Sequence, residues 1–255
     1  MAGLEKYLKN DADIKLMREA GRLNARVLNE LKKRIRPGVT TRELDSFAEA
    51  FIRDHGATPT FKGYPGPYPY PATLTVSINE EMVHGIPSGR SLKEGDIVSI
   101  DCGTTLNGFV GDSAFTVGVG EISPEKERLI RTAEEALRKG IEQMIPGNRV
   151  GDVSAAIQRQ VEKQGYHVPR KYTGHGVGWE MHEPPQLPNF GTPGKGIVLR
   201  TGMTIAIEPM VLVGTSRTKI LADQWTVTSA DKSLTAHAEH SVAVREDGPL
   251  ILTEI

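Results

Sequence analysis

The run Ile97-Val98-Ser99-Ile100-Asp101-Cys102-Gly103-Thr104-Thr105-Leu106-Asn107-Gly108-Phe109-Val110-Gly111-Asp112 carries the most structural information in the chain. Asn-Gly is the strongest short-range hairpin signal and favours a two-residue type I′ turn. With Asn107-Gly108 at the tip, Leu106 faces Phe109 and Asp112 falls opposite Gly103. Gly103 lies two residues from Asp101 and hence on the same face of its strand. The two aspartates are therefore diagonal cross-strand neighbours, with Cβ atoms about 7 Å apart. Asp101 ends an apolar strand, where a charge is costly unless it is partnered. Like charges so placed repel, and a metal ion, an ion pair or a shared proton would relieve them. Cys102 points to the opposite face, away from that chemistry.

Working outward, the flanks of this hairpin recur. Arg36-Pro37-Gly38, through a helical pattern to His55-Gly56, returns as Ile145-Pro146-Gly147 through a second helical pattern to Gln164-Gly165, at a constant offset of 109. Leu92 to Asp101 aligns with Leu199 to Glu208, each a Gly-led turn feeding a β-rich run that ends in a carboxylate. Helices precede both copies. Met17, Ala20, Val27, Leu28, Leu31 and Ile35 fall at helical spacing over Asp11 to Ile35, and Leu129, Ile130, Ala133, Leu137, Ile141 and Met144 do so over Glu125 to Met144. A further helix is expected from Thr41 to about His55, opened by a Thr41-x-x-Leu44 turn and stopped at Gly56. The fold class is thus α+β, a duplicated helix–helix–strand unit with halves of about 11–120 and 125–250, sharing one core as a single domain over 1–255. The basic residues Lys32, Lys33, Arg34 and Arg36 read as a solvated helix C-terminus, not a nucleic-acid patch.

Composition narrows the function classes. The chain has 255 residues, 38% hydrophobic and 25% charged, the balance of a folded protein. Lys plus Arg (31) nearly cancels Asp plus Glu (32), so no general electrostatic grip on nucleic acid or acidic membrane is expected. A lone cysteine, Cys102, cannot form an internal disulfide and fits a reducing compartment. No stretch approaches the ~18 apolar residues needed to span a bilayer. The segment from Met1 to Asp13 lacks the apolar centre of a signal peptide. A cytoplasmic protein is expected, and a monomer, since no exposed apolar stripe stands out.

The repeat extends the chemistry of the hairpin. Glu208 occupies the place of Asp101 in the second half, and a returning β-pattern, Gln224 to Thr228 and then Thr235 to Val244, carries Glu239. Any one of these acids alone reads as a surface charge or a structural ion pair. A pseudo-twofold between the halves would point Asp101, Asp112, Glu208 and Glu239 at one spot, where two divalent cations would balance about four negative charges. A nitrogen donor is available in Gly174-His175-Gly176-Val177-Gly178. The glycines there free the imidazole's direction and allow close backbone approach to a ligand. The spacing is not the dinucleotide fingerprint. His84, in Val83-His84-Gly85-Ile86-Pro87, is a further candidate, and Tyr64 to Pro71 forms a Pro/Tyr-rich loop fit for a pocket wall.

Val83-His84-Gly85-Ile86-Pro87, Ile100-Asp101 with Gly111-Asp112-Ser113, Gly174-His175-Gly176-Val177-Gly178, Ile207-Glu208-Pro209-Met210 and Ala238-Glu239-His240 resemble, in order, the motif set of type I methionine aminopeptidases. The resemblance covers about residues 10–250. It implies the pita-bread fold, a curved antiparallel sheet around a dinuclear metal site. It implies as ligands Asp101, Asp112, His175, Glu208 and Glu239, with Asp112 and Glu239 bridging two divalent ions drawn from Co, Mn, Fe or Zn. By the same resemblance Glu208 takes the proton of the attacking water, His182 bonds the scissile carbonyl or the tetrahedral intermediate, and His84 contacts the nitrogen beyond the methionine. Tyr70, Met181, Trp225, Phe61 and Tyr64 would wall the methionine pocket. The implied activity is removal of the N-terminal Met from nascent polypeptides with a small second residue. A bacterial-type cytoplasmic enzyme is expected, with neither nucleic acid nor membrane as a partner, and any transient ribosome contact is invisible in the sequence. The sequence departs from the usual pattern in a Pro/Tyr stretch about two residues longer than common, in Thr75 and Phe61 where cysteine is frequent, and in Met181 where Phe is. Xaa-Pro peptidases of the same fold and a non-catalytic binding relative are the competing readings.

Overall fold

The computed structural model describes residues 3–255; Met1 and Ala2, at the head of the expected 1–255 span, lie outside the described residues. A short 3-10 turn, Glu5–Tyr7, leads into helices α1 (Asp11–Lys32) and α2 (Thr41–Asp54). Strands β1 (Thr58–Pro59), β2 (Leu74–Ile78), β3 (Glu81–Val83), β4 (Ile97–Leu106) and β5 (Phe109–Gly118) complete the first half. The second half opens with α3 (Pro124–Ile141) and α4 (Val150–Lys163) and continues through β6 (Thr173–Gly176), β7 (Glu183–Pro188), β8 (Thr204–Ile207) and β9 (Met210–Leu212). It ends with β10 (Thr218–Ile220), β11 (Val227–Ser229), β12 (Thr235–His237), β13 (Glu239–Ala243) and β14 (Leu250–Ile251).

The duplication is visible in the backbone. Gly38 and Gly147 take φ of +90° and +91°, and Gly56 and Gly165 take +73° and +79°, so each Pro-Gly turn and each helix stop has its counterpart. The helix limits follow from local chemistry. Asn10 caps α1 in a box with Asp13, and the helix ends at Lys32, short of Ile35. The cap of α2 is Thr40, in a reciprocal box with Glu43, which corrects the turn expected at Thr41 by one residue. Helix α3 starts with Pro124 at its first position, where the missing N–H costs nothing.

One antiparallel sheet runs in the order β1-β4-β5-β13-β8-β6-β7, with β2 added to β4 and β14 to β13. The β4–β5 hairpin has the register read from Asn107-Gly108, pairing Leu106 with Phe109 and Gly103 with Asp112. The halves join where β13 meets β5, through Glu239 opposite Ala114 and His240 opposite Ser113. On the other side β13 pairs with β8, His240 against Ile207. Each helix pair covers its own strands: Leu23, Val27, Leu31, Leu44 and Ile52 close over Val98, Ile100 and Cys102, while Leu129, Leu137, Val153 and Ile157 close over Ile205, Ile207 and Val242. Helix α1 lies close on the hairpin because Gly21 meets Gly111, where a Cβ on Gly111 would stand 2.7 Å from the Gly21 Cα. This is the α+β pita-bread arrangement of duplicated halves.

One part of the β-pattern goes elsewhere. The segment Gln224 to Thr228 does not return along the strand of Glu208; β11 joins β10 and β3 in a separate three-stranded sheet. The Asp223 carboxylate accepts from the backbone N–H of Trp225 and Thr226 at 3.0 and 2.9 Å, and Gln224 sits at φ +63°, which reverses the chain early. The return is made by β12, which pairs with β9 through His237 opposite Met210, and by β13, which pairs with β8. Among the described residues no helix is long and apolar enough to cross a membrane.

Candidate metal centre

Asp101 and Asp112 come from β4 and β5, Glu208 follows the end of β8, and Glu239 opens β13. All four line one cavity of about 130 Å³ together with His84, His175 and His182. The backbones behind them are pinned. Ser241 Oγ donates to the Asp112 carbonyl at 2.8 Å, and the Asp112 N–H returns to Ser241 Oγ at 3.2 Å, sealing β5 to β13. Buried Asn24 of α1 donates from Nδ2 to the carbonyls of Cys102 and Gly111, so one side chain grips both strands of the hairpin from the back. Asn189 does the same for the other half, donating to the Glu208 carbonyl at 3.0 Å and accepting from the Met210 N–H at 2.7 Å.

His175 Nε2 lies 3.6 Å from both Asp112 Oδ2 and Glu208 Oε1. The flanking glycines serve the sheet, which corrects the expectation that they admit a ligand. A Cβ on Gly174 would stand 2.4 Å from the Ala206 carbonyl oxygen, and one on Gly176 2.4 Å from that of Pro184. Only glycine lets β6 lie that close to its neighbours. His84 is held with φ +62°, a left-handed conformation unusual for a side-chain-bearing residue. The next residue enforces it: Gly85 packs so tightly on β2 that a Cβ would meet the Val76 carbonyl oxygen at 2.2 Å. The Tyr70 hydroxyl reaches the Gly85 and Leu74 carbonyls at 2.9 and 3.0 Å and locks the same turn.

The electrostatics are those of crowded, desolvated acids. Burial raises the Asp112 carboxyl to about 7. Asp101, Glu208 and Glu239 are held well above the usual carboxylate range, first by burial and then by the charge of Asp112, with Glu208 adding to Asp101 and both Asp101 and Glu208 adding to Glu239. Burial also favours neutral imidazoles, taking His84 to about 4 and His175 to about 3, with the neighbouring His182 adding to both. Asp101 Oδ1, Asp112 Oδ1 and Glu239 Oε1 are buried without any hydrogen-bond partner among the described residues. Among the described residues no lysine or arginine lines the cavity, which removes the ion-pair alternative, and a proton shared within one pair would still leave buried carboxylate oxygens orphaned. Orphaned carboxylate oxygens beside a neutral imidazole fit a divalent cation.

The remaining wall is apolar and aromatic. Tyr70, Met181 and Phe61 are buried, and Trp225 packs edge-on against Tyr70 at 5.1 Å and His84 at 6.3 Å. Tyr64 and Thr75 also line the cavity. The Tyr64 hydroxyl lies 2.6 Å from His182 Nδ1, while the His182 ring packs 4.2 Å from that of His175. Every candidate site residue read from the sequence is thus brought to one cavity. One residue at the site was not among them. His237, 1% exposed on β12, sets its Nε2 3.8 Å from both Glu208 Oε2 and Glu239 Oε2. The pattern His237-x-Glu239, within the β-rich run Thr235 to Val244, was its available signal, although the structure breaks that run into β12 and β13 at Ala238.

Residues 15–246 match the model of metallopeptidase family M24. The chain is 53% identical to a methionine aminopeptidase of Clostridium perfringens, over 97% of this chain and 98% of that one. It is 50% identical to methionine aminopeptidase 1 of Bacillus subtilis, over 97% and 98%. Among solved structures, a methionine aminopeptidase from Thermotoga maritima superposes with a TM-score of 0.94 at 45% identity, covering 97% of this chain and 99% of that one. With its duplicated fold and its carboxylate-lined cavity, the chain belongs to metallopeptidase family M24.

Proposed function

We propose that this protein removes the N-terminal methionine from newly made chains by hydrolysing the first peptide bond, using two divalent cations. The observation that carries the reading is the convergence of Asp101, Asp112, Glu208 and Glu239 with His175 on one cavity that an apolar wall closes. Its close relatives, named as methionine aminopeptidases over nearly their full length, support the substrate.

Asp101, Asp112, His175, Glu208 and Glu239 would hold the cations. Bound divalent ions lower the pKa of water and polarise a carbonyl. Burial raises the proton affinity of Glu208, so that, once ionised beside the bound cations, its carboxylate would accept the proton of the attacking water. His182, its Nδ1 engaged by Tyr64, presents the other ring nitrogen to the scissile carbonyl and stabilises the charge that develops there. His84, aimed by its left-handed backbone, contacts the nitrogen of the second residue. Tyr70, Met181, Trp225, Phe61 and Tyr64 enclose the methionine side chain, where polarizable surface suits a thioether. The free α-amino group lies against the carboxylate cluster, which confines the activity to chain ends. A small second residue fits best, because His84 and the cluster wall the next position. The two halves, about 11–120 and 125–250, act as one catalytic domain, working as a cytoplasmic monomer with at most a transient ribosome contact.

Release of the first residue from Met-Ala-Ser and Ala-Pro-Ser, by metal-stripped protein re-supplied with Co or Mn, tests this. The expected result is cleavage of the Met peptide alone, and only with metal. Cleavage of Ala-Pro-Ser instead would move the chain to the proline-directed branch of the fold. Silence on both peptides with metal bound would leave a binding protein.

A further inference from the structure

We propose that His237 supplies a second imidazole nitrogen to the metal centre, on the Asp101 side, opposite His175. The inference rests on the metal-dependent reading above and deepens it. Two sets of potential ligands meet at Glu239. The ligand atoms of Asp101, His237 and Glu239 lie within 4.8 Å of one another, and so do those of Asp112, His175 and Glu239. Each set contains one imidazole, and Glu239 belongs to both.

The imidazole Nε2 of His237 is buried and has no structural bond to make among the described residues. The two nearest carboxylate oxygens, on Glu208 and Glu239, stand 3.8 Å away, too far for a hydrogen bond. A structural histidine at 1% exposure would normally have its ring nitrogens satisfied. The ring's direction is imposed by the strand and not by a loose loop. The His237 N–H donates to Thr116 Oγ1 at 2.9 Å, and that hydroxyl donates back to the His237 carbonyl at 2.7 Å. The backbone is clamped from both sides while the imidazole points, unpartnered, at three carboxylates.

A nitrogen on each side changes what the centre prefers. Carboxylate-only sites suit Mg and Mn, whereas imidazole favours Fe, Co and Zn. His237 therefore shifts the Asp101 side of the centre toward the latter group.

The test measures binding rather than turnover. Dissociation constants of Co(II) and Mn(II) are determined by calorimetry on metal-stripped wild type, His237→Gln and His237→Ala, with the Tm of each metal-free protein as a control on folding. Loss of the imidazole is expected to weaken Co(II) about ten-fold or more at one of the two ions, and Mn(II) less. A second measurement needs no variant. Proton NMR of the Co(II)-loaded wild type should show two paramagnetically shifted, exchangeable imidazole N–H signals, one from His175 and one from His237. A single such signal, or Co(II) affinity unchanged in folded variants, would overturn the assignment of His237 and leave the proposed function standing. Wild type that binds neither ion would overturn the proposed metal centre itself.

Discussion

The hydroxyl of Tyr64 lies 2.6 Å from Nδ1 of His182, joining two residues 118 positions apart. Tyr64 belongs to the Pro/Tyr-rich loop and His182 to the turn before β7, so the bond ties two irregular segments together across the cavity. It also fixes the ring's orientation, with the second nitrogen turned away from Tyr64.

Tyr64→Phe removes only the hydroxyl and keeps the wall. Turnover of a Met-Ala peptide is expected to fall about ten-fold, with KM little changed, because a positioned donor is loosened while the pocket is kept. Steady-state kinetics decide it: a rise in KM alone would make Tyr64 a wall residue and nothing more.

Lys9 and Glu183 form a buried ion pair, each side chain 1% exposed. Glu183 also accepts from the backbone N–H groups of Trp179 and Glu180 at 2.8 and 3.1 Å, and the Lys9 ammonium rests 4.3 Å over the Trp179 ring. Lys9→Met leaves a buried carboxylate unpaired and should cost about 3–5 kcal/mol. The double variant Lys9→Met, Glu183→Leu should recover much of that loss. Urea unfolding of both proteins checks the pair, and equal losses in the two would point instead to the lost backbone contacts of Glu183.

In metal-stripped protein the Asp112 carboxyl titrates at about 7, against about 3.9 in an unfolded chain. Between these values the folded state holds more protons than the unfolded one. The stability from this group is therefore complete below about pH 4 and is lost as pH rises through about 7. The buried histidines, pushed down by burial, act in the opposite sense on the acid side. Comparing wild type with Asp112→Asn isolates the carboxylate. The variant should gain stability over wild type as pH is raised from about 5 to about 7.5 in the presence of a chelator. Parallel pH profiles for the two would show that Asp112 does not resist ionisation in the folded state.

Adding cation should reverse the penalty of the crowded acids. At a free concentration a hundred times Kd, one bound ion stabilises the fold by about 2.7 kcal/mol, read as a rise in Tm. Glu239→Gln removes the residue common to both ligand sets, so its Tm should hardly respond to Co(II) or Mn(II). A full metal-induced shift in that variant would exclude Glu239 as a ligand.

Much of this arrangement was legible because it is built from local rules. Asn107-Gly108 dictates a turn, the turn dictates the register, and the register puts Asp101 and Asp112 on one face. The offset of 109 between Gly38 and Gly147 marks the second half in the sequence itself, and their φ values agree within 1°. What escaped depends on packing between distant segments. Lys9 and Glu183 lie 174 residues apart with no pattern to join them. His237 was hidden because β12 ends there and β13 begins at Glu239, so the two-residue spacing spans a break between strands. The segment at Gln224 departs from its β-pattern because an aspartate-capped turn outweighs a short β-branched run.

The join between β5 and β13 places Ala114 opposite Glu239 and Ser113 opposite His240, so the acids of the two halves meet only where the halves themselves meet. Neither repeat contains a complete ligand set. A chain of half this length could assemble such a centre only by pairing with a copy of itself, and joining the copies end to end frees each to diverge: Asp112 and Glu239 are no longer obliged to be the same amino acid.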